Sequence, residues 1–163
     1  MGSVLIVDDI AGNARLVESL LAPDGYDVRT AGGFVKEGQT LAILAVDDEP
    51  GVLALVRRCL DDERVTLFEA SSGKEALEQI PKGPALDLLI ADLRMPEMEG
   101  DELARKVRTL EPDLKVLYLT SHADRLFEAK PQLWAEEAYL DKPFTREGLR
   151  EAVALLLFGR TTL

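Results

Sequence analysis

From Leu41 onward, five short aliphatic runs alternate with five amphipathic stretches, and that alternation leaves few folds open. The strand candidates are residues 41–46, 65–69, 86–91, 115–119 and 137–140. The runs at 86–91 and 115–119 are nearly unbroken, as expected of strands buried on both faces of a sheet. The fifth, within EEAYL, is the weakest on pattern. Helix candidates fall between them at 51–60, 73–80, 101–110, 125–132 and 146–158. Ser72 before Gly73-Lys74-Glu75 and Thr145 before Arg146-Glu147 are start signals, because a hydroxyl can accept from a free N–H of the first turn. Strands and helices in strict turn predict an α/β fold, a doubly wound five-stranded parallel sheet with helices on both faces. Right-handed crossovers remove most other orders.

A second copy of the opening of this pattern precedes it. The segment VLIVDDIAGNARLVESLLAPDGYDVRTAGG from Val4 aligns without a gap on ILAVDDEPGVLALVRRCLDDERVTLFEASS from Ile43, an offset of 39 positions. Asp8 falls on Asp47, Asp9 on Asp48, Gly12 on Gly51 and Ala31 on Ala70. The expected organisation is a strand–helix–strand half repeat over 1–33, a linker over 34–40, and a complete domain over 41–160.

Composition narrows the function classes. With 47% hydrophobic and 30% charged residues the chain reads as soluble and globular. Its apolar runs, such as residues 153–158, stop far short of the roughly 18 residues that a membrane helix needs. No basic region followed by a long apolar stretch marks a secretory signal. The net charge of −11, without a lysine or arginine run, argues against direct nucleic-acid binding, which draws on phosphate neutralisation. Cys59 is the sole cysteine, so no internal disulfide can form, and a reducing cytoplasm fits. It lies among Val52, Leu53, Leu55, Val56 and Leu60 at helical spacing, where burial is expected.

In open α/β sheets ligands bind beyond the carboxyl ends of the strands, near the point where strand order reverses. Here those ends carry Asp47 and Asp48, Asp92, Thr120 and Lys142, each at or just past an apolar run. Carboxylates gathered at one edge repel one another unless a cation joins them. Mg²⁺ commonly takes one or two carboxylates, waters and a substrate phosphate. An aspartate is an attested nucleophile for phosphoryl groups, and the transfer itself rests on positioning and charge neutralisation.

These residues stand in VDDEP, LIADLRMPEMEG, VLYLTS and YLDKPF, and in that setting the segment from Leu41 resembles a bacterial response-regulator receiver domain. Asp48 precedes Asp92 by 44 positions, Thr120 precedes Lys142 by 22, and Tyr139 stands three before that lysine. The resemblance implies a flavodoxin-like sheet and a phosphorelay switch that is not an enzyme in its own right. Asp92 would accept the phosphoryl group from a histidine kinase or histidine phosphotransfer protein. Asp48, Asp92 and the backbone carbonyl of Arg94 would bind Mg²⁺, with Asp47 acting partly through water. Lys142 and Thr120 would hold the phosphoryl oxygens, and Tyr139 would change rotamer when Thr120 moves. The Lys142–Pro143 bond would be cis. Arg94 and His122, two positions after Asp92 and Thr120, would tune the lifetime of the phosphorylated state. The surface of the fourth helix, fifth strand and fifth helix would report the change, through Leu126, Phe127, Trp134, Tyr139 and the last helix.

Plainer readings stand beside these. Asp47 and Asp48 also suit a helix N-cap, Asp92 a turn, Thr120 a cap, Lys142 a solvated surface, and Tyr139 static packing. A pseudo-receiver acting through fixed contacts, and a phosphatase with an aspartate nucleophile, are the competing functions. The phosphatase would be expected to carry a second acid where Arg94 stands. The half repeat lacks counterparts of Asp92, Thr120 and Lys142, so Asp8 and Asp9 form no complete site. It reads as a truncated receiver, a fusion, or a segment that packs on the receiver or a second chain; homodimers through it or the last helix are open.

Overall fold

The computed structural model describes residues 3–6, 27–30, 40–121 and 136–158. The chain divides into two compact units, Met1–Gln39 with Arg160–Leu163, and Thr40–Gly159. In the first, β1 (Ser3–Ile6) pairs in parallel with β2 (Asp27–Thr30).

The second unit is a five-stranded parallel sheet. Its strands are β3 (Leu41–Val46), β4 (Val65–Ala70), β5 (Leu88–Asp92), β6 (Lys115–Thr120) and β7 (Glu137–Asp141), in the order β4-β3-β5-β6-β7. The chain leaves β3 for β4 on one side, then returns to place β5 on the other. The strand order therefore reverses between β3 and β5, which bear Asp47 and Asp92 at their carboxyl ends.

Four described helices cover the sheet: α1 (Pro50–Cys59), α2 (Gly73–Gln79), α3 (Gly100–Arg108) and α4 (Arg146–Phe158). Pleating sends alternate side chains to opposite faces. Leu44, Val46, Leu89, Ala91, Val116 and Tyr118 join Ala76 of α2 and Leu103, Ala104 and Val107 of α3 in one core. Their neighbours Ile43, Ala45, Leu88, Ile90, Leu117 and Leu119 are also buried, on the face where α1 and α4 pack through Val56, Cys59, Leu149 and Val153. The doubly wound architecture expected from the alternation is therefore present. β5 is buried throughout, whereas β7, at the sheet edge, alternates between covered and open positions. Its exposed edge accounts for its weak sequence pattern.

Element limits differ from expectation by a residue or two, for local reasons. The helix predicted over 73–80 gives way at Ile80 to a 3-10 turn, because Pro81 offers no N–H to the α-helical ladder. The strand predicted from 86 begins at Leu88. Just before it, Asp87 exchanges bonds with Ala42, donating its N–H to Ala42 O (2.9 Å) and accepting Ala42 N–H on Oδ2 (2.8 Å). Ser72 caps α2 as expected, accepting the Glu75 N–H at 3.1 Å, and Thr145 Oγ1 accepts the Gly148 N–H at 3.0 Å. The helix predicted over 125–132 lies outside the described residues, as do Asp8, Asp9, His122, Leu126, Phe127 and Trp134.

Candidate phosphorylation site

Four strands carry polar residues at or just past their carboxyl ends, along one edge of the sheet. Asp47 follows β3, Asp92 ends β5, Thr120 ends β6, and Lys142 follows β7. Asp47, Asp92 and Thr120 are all buried, at the ends of strands that are otherwise mostly apolar. Lys142 is placed by its backbone N–H, which donates to Thr120 O at 3.0 Å, and its bond to Pro143 is cis.

The Lys142 ammonium lies among three carboxylates. Its Nζ donates to Asp47 Oδ2 at 2.7 Å, and stands 3.5 Å from Asp92 Oδ2 and 3.7 Å from Glu49 Oε1. Burial alone would disfavour the charge on Lys142, but its bond to Asp47 and the fields of Asp47, Asp92 and Glu49 outweigh it and raise its pKa. Asp92 moves the other way from a usual ion-paired carboxylate: burial raises its pKa against the attraction of Lys142, and the charge on Asp47 adds to the rise. A buried carboxylate that is incompletely compensated in this way favours the approach of a further cation.

Asp47, Glu49 and Asp92 each offer an oxygen, and these oxygens lie within 4.8 Å of one another. Three hard oxygen donors at this spacing fit a divalent ion of the Mg²⁺ kind. Asp48, expected as a ligand, is exposed and does not belong to this trio. Glu49, which the sequence reading passed over, does. The signal for it was positional: Pro50 starts α1 and fixes the preceding residue at the same strand end. Neither Asp47 nor Asp48 caps that helix. The N-cap is Glu49, without a side-chain cap bond, while Asp47 Oδ1 accepts the Glu49 N–H at 2.9 Å.

Arg94 touches the site through its backbone, its N–H donating to Asp92 Oδ1 at 3.3 Å, and its guanidinium turns to Glu99 at 3.7 Å. Tyr139 is 37% exposed.

Fold and site together define a phosphoacceptor-type α/β signalling domain. Residues 43–154 match the response regulator receiver domain family, and the chain belongs to it. Among curated proteins, it is 34% identical over 116 residues to sensor kinase CckA of Brucella abortus, covering 71% of this chain and 12% of that one. It is 32% identical over 111 residues to transcriptional regulatory protein GlrR of Escherichia coli, covering 68% of this chain and 25% of that one. The chain thus spans a small part of these relatives. Among solved structures, response regulator TrrA of Thermotoga maritima, in complex with Mg²⁺ and BeF, superposes with a TM-score of 0.62 at 34% identity. That match covers 72% of this chain and all of TrrA. The receiver domain of hybrid histidine kinase CckA matches with a TM-score of 0.60 at 27% identity, over 71% of this chain and 98% of that one. No helix among the described residues is long and apolar enough to cross a membrane.

Proposed function

We propose that this receiver is a cytoplasmic phosphorelay switch in which Asp92 takes a phosphoryl group from a histidine kinase or histidine phosphotransfer protein. The observation that carries the reading is the placement of Lys142 Nζ within 3.5 Å of Asp92 Oδ2 in a pocket of acidic side chains. An Asp92 carboxylate oxygen attacks phosphorus as the bond to the donor breaks, and the leaving group keeps that electron pair. Lys142 shifts from Asp47 toward a phosphoryl oxygen, and the Thr120 hydroxyl donates to another. Bound Mg²⁺ would supply positive charge against the carboxylates and the incoming phosphate. Asp47, Asp48 and Asp92, with the Arg94 carbonyl, are the expected ligands, and Glu49 joins them as a candidate.

Phosphorylation acts by favouring one of two conformations. Movement of Thr120 toward the phosphoryl group vacates space beside β6, and Tyr139 on β7 follows. The surface around Tyr139 and the exposed Leu155 of α4 carries the signal. We further propose that residues 41–160 form the switch and that 1–33 is a half receiver without a site. Supporting the second point, Ser3 pairs with Asp27 as Ala42, 39 positions later, pairs with Thr66, and the next three pairs repeat the correspondence.

Intact mass after incubation with acetyl phosphate and Mg²⁺ tests the main reading. One added phosphoryl mass is expected, absent in Asp92→Ala and absent when EDTA removes the metal. If neither acetyl phosphate nor a phosphorylated histidine phosphotransfer protein labels the chain, a binding module working through fixed contacts replaces it. Sustained turnover of a small phosphate ester would instead favour the phosphatase, against which stands Arg94 in place of the second acid.

A further inference from the structure

Glu49 takes a place at this site that its position in the helix start does not explain. Its backbone is extended at φ −93° and ψ 110°, held by Pro50 on one side and by its own N–H bond to Asp47 on the other. A glutamate at an N-cap would ordinarily be read as helix chemistry, but its side chain makes no cap bond. Its Oε1 reaches instead to 3.7 Å from Lys142 Nζ, and its carboxylate completes the trio with Asp47 and Asp92. The three differ in depth. The side chains of Asp47 and Asp92 are 2% and 9% exposed, while that of Glu49 is 67% exposed. Glu49 is therefore the outermost carboxylate of the three, within reach of Lys142 and open to solvent.

We propose that Glu49 is a specificity-determining residue of this receiver, a rim carboxylate that strengthens divalent-cation binding and slows phosphorylation by small anionic donors. The inference rests on the phosphoacceptor reading above. Its two effects come from the same charge. A third carboxylate adds attraction for a divalent cation, and also repels a small donor such as acetyl phosphate, which carries its own negative charge. A protein donor presents its phosphoryl group from a docked surface, so the bulk concentration of anions at the pocket mouth matters less to it. Glu49 also stays within reach of Lys142, and so competes for the ammonium that a phosphoryl oxygen would use. Because Glu49 is solvent-facing, each effect is moderate and screened by salt.

The test compares the full chain with Glu49→Gln and Glu49→Asp. Mg²⁺ affinity is read by titration calorimetry. The initial rate of mass gain from acetyl phosphate is read with Mg²⁺ saturating for each variant, at low and at high ionic strength. Glu49→Gln is expected to bind Mg²⁺ roughly three- to tenfold more weakly. At low salt it should accept phosphate several times faster than the parent, an advantage that fades at high salt. Glu49→Asp, which keeps the charge, should stay near the parent in both. A merely structural role would leave no salt-dependent difference. Unchanged Mg²⁺ affinity in Glu49→Gln, or no rate increase at low salt, overturns the proposal while the labelling of Asp92 in the parent still stands. A parent chain that takes no phosphoryl group overturns both readings.

Discussion

Gly100 stands against the backbone of Asp92 so closely that a Cβ there would overlap the Asp92 carbonyl oxygen. It would also lie 3.1 Å from the carbonyl carbon of Asp92 and 3.2 Å from Leu93 Cα. Gly100 further donates its N–H to Leu93 O at 2.9 Å, so the first residue of α3 closes the loop onto the end of β5. The obstructing atoms are backbone, and no side-chain rotation can relieve the clash. Gly100→Ala should therefore displace Asp92 or the start of α3, at a cost of about 1–3 kcal/mol in stability. A lower denaturation midpoint together with slower acetyl phosphate labelling is the expected outcome. Labelling at the parental rate would show that Gly100 serves packing without positioning the acceptor.

At the opposite end of the sheet, Glu137 opens β7 with its side chain fully covered. It accepts from Arg108 Nη1 at 2.7 Å and from the Tyr118 hydroxyl at 3.2 Å. Arg108 also donates through Nε and Nη2 to Leu114 O, tying the end of α3 to the sheet edge. Burial, with the adjacent Glu137 charge, holds the Tyr118 phenol far above its ordinary range, so Tyr118 remains a donor throughout the working pH range. Removing one partner leaves the other charge buried. Arg108→Ala should cost on the order of 3 kcal/mol, read by chemical denaturation. A loss below about 0.5 kcal/mol would mean that water readily replaces the guanidinium.

The sequence made β3, β5 and β6 legible because strands buried on both faces must be apolar at nearly every position. Their buried exceptions Asp47, Asp92 and Thr120 mark a common edge in the sequence itself. Glu49 was not legible in this way. It belongs to a loop, and whether a loop carboxylate turns inward depends on a helix start and on a lysine 93 positions away (142 − 49). The Glu137–Arg108–Tyr118 group was equally hidden, since EEAYL reads as a poor strand until its glutamate has a buried partner. Asp48 is exposed beside the buried Asp47, because adjacent residues at a strand end face different surroundings.

Asp62 gives the fold a definite response to acid. Its carboxylate accepts from Arg64 Nε, Nη2 and backbone N–H, each at 3.0 Å, and Arg150 of α4 approaches to 3.9 Å. The Arg64 side-chain hydrogen bonds hold its pKa below the ordinary value of 3.8, although burial pulls the other way. Since the folded value is the lower one, the stabilisation is fully present above the unfolded pKa and is lost as pH falls through the folded one. Asp62→Asn should thus cost about 1–2 kcal/mol at neutral pH. The gap to the parent should narrow once the pH drops below 3.8. Denaturation midpoints of both chains across this range provide the check. A gap independent of pH would assign the effect to the geometry of the turn and not to its charge.

Residues 1–39 should be dispensable for the switch. Every strand pairing of the five-stranded sheet lies within residues 41–141, and the start of the domain is fastened locally, with Leu41 N–H donating to Arg64 O at 2.8 Å and Ala42 bound twice to Asp87. All the residues proposed to handle phosphate follow Val46. A chain beginning at Thr40 should therefore melt within about 0.5 kcal/mol of the full chain. It should also take one phosphoryl group on Asp92 at the parental rate. Sedimentation of the two chains at the same high concentration adds a second reading: if only the full chain dimerises, the half repeat supplies the interface. Loss of folding in the shortened chain would show instead that the half repeat supports the receiver, and the division at residue 40 would be wrong.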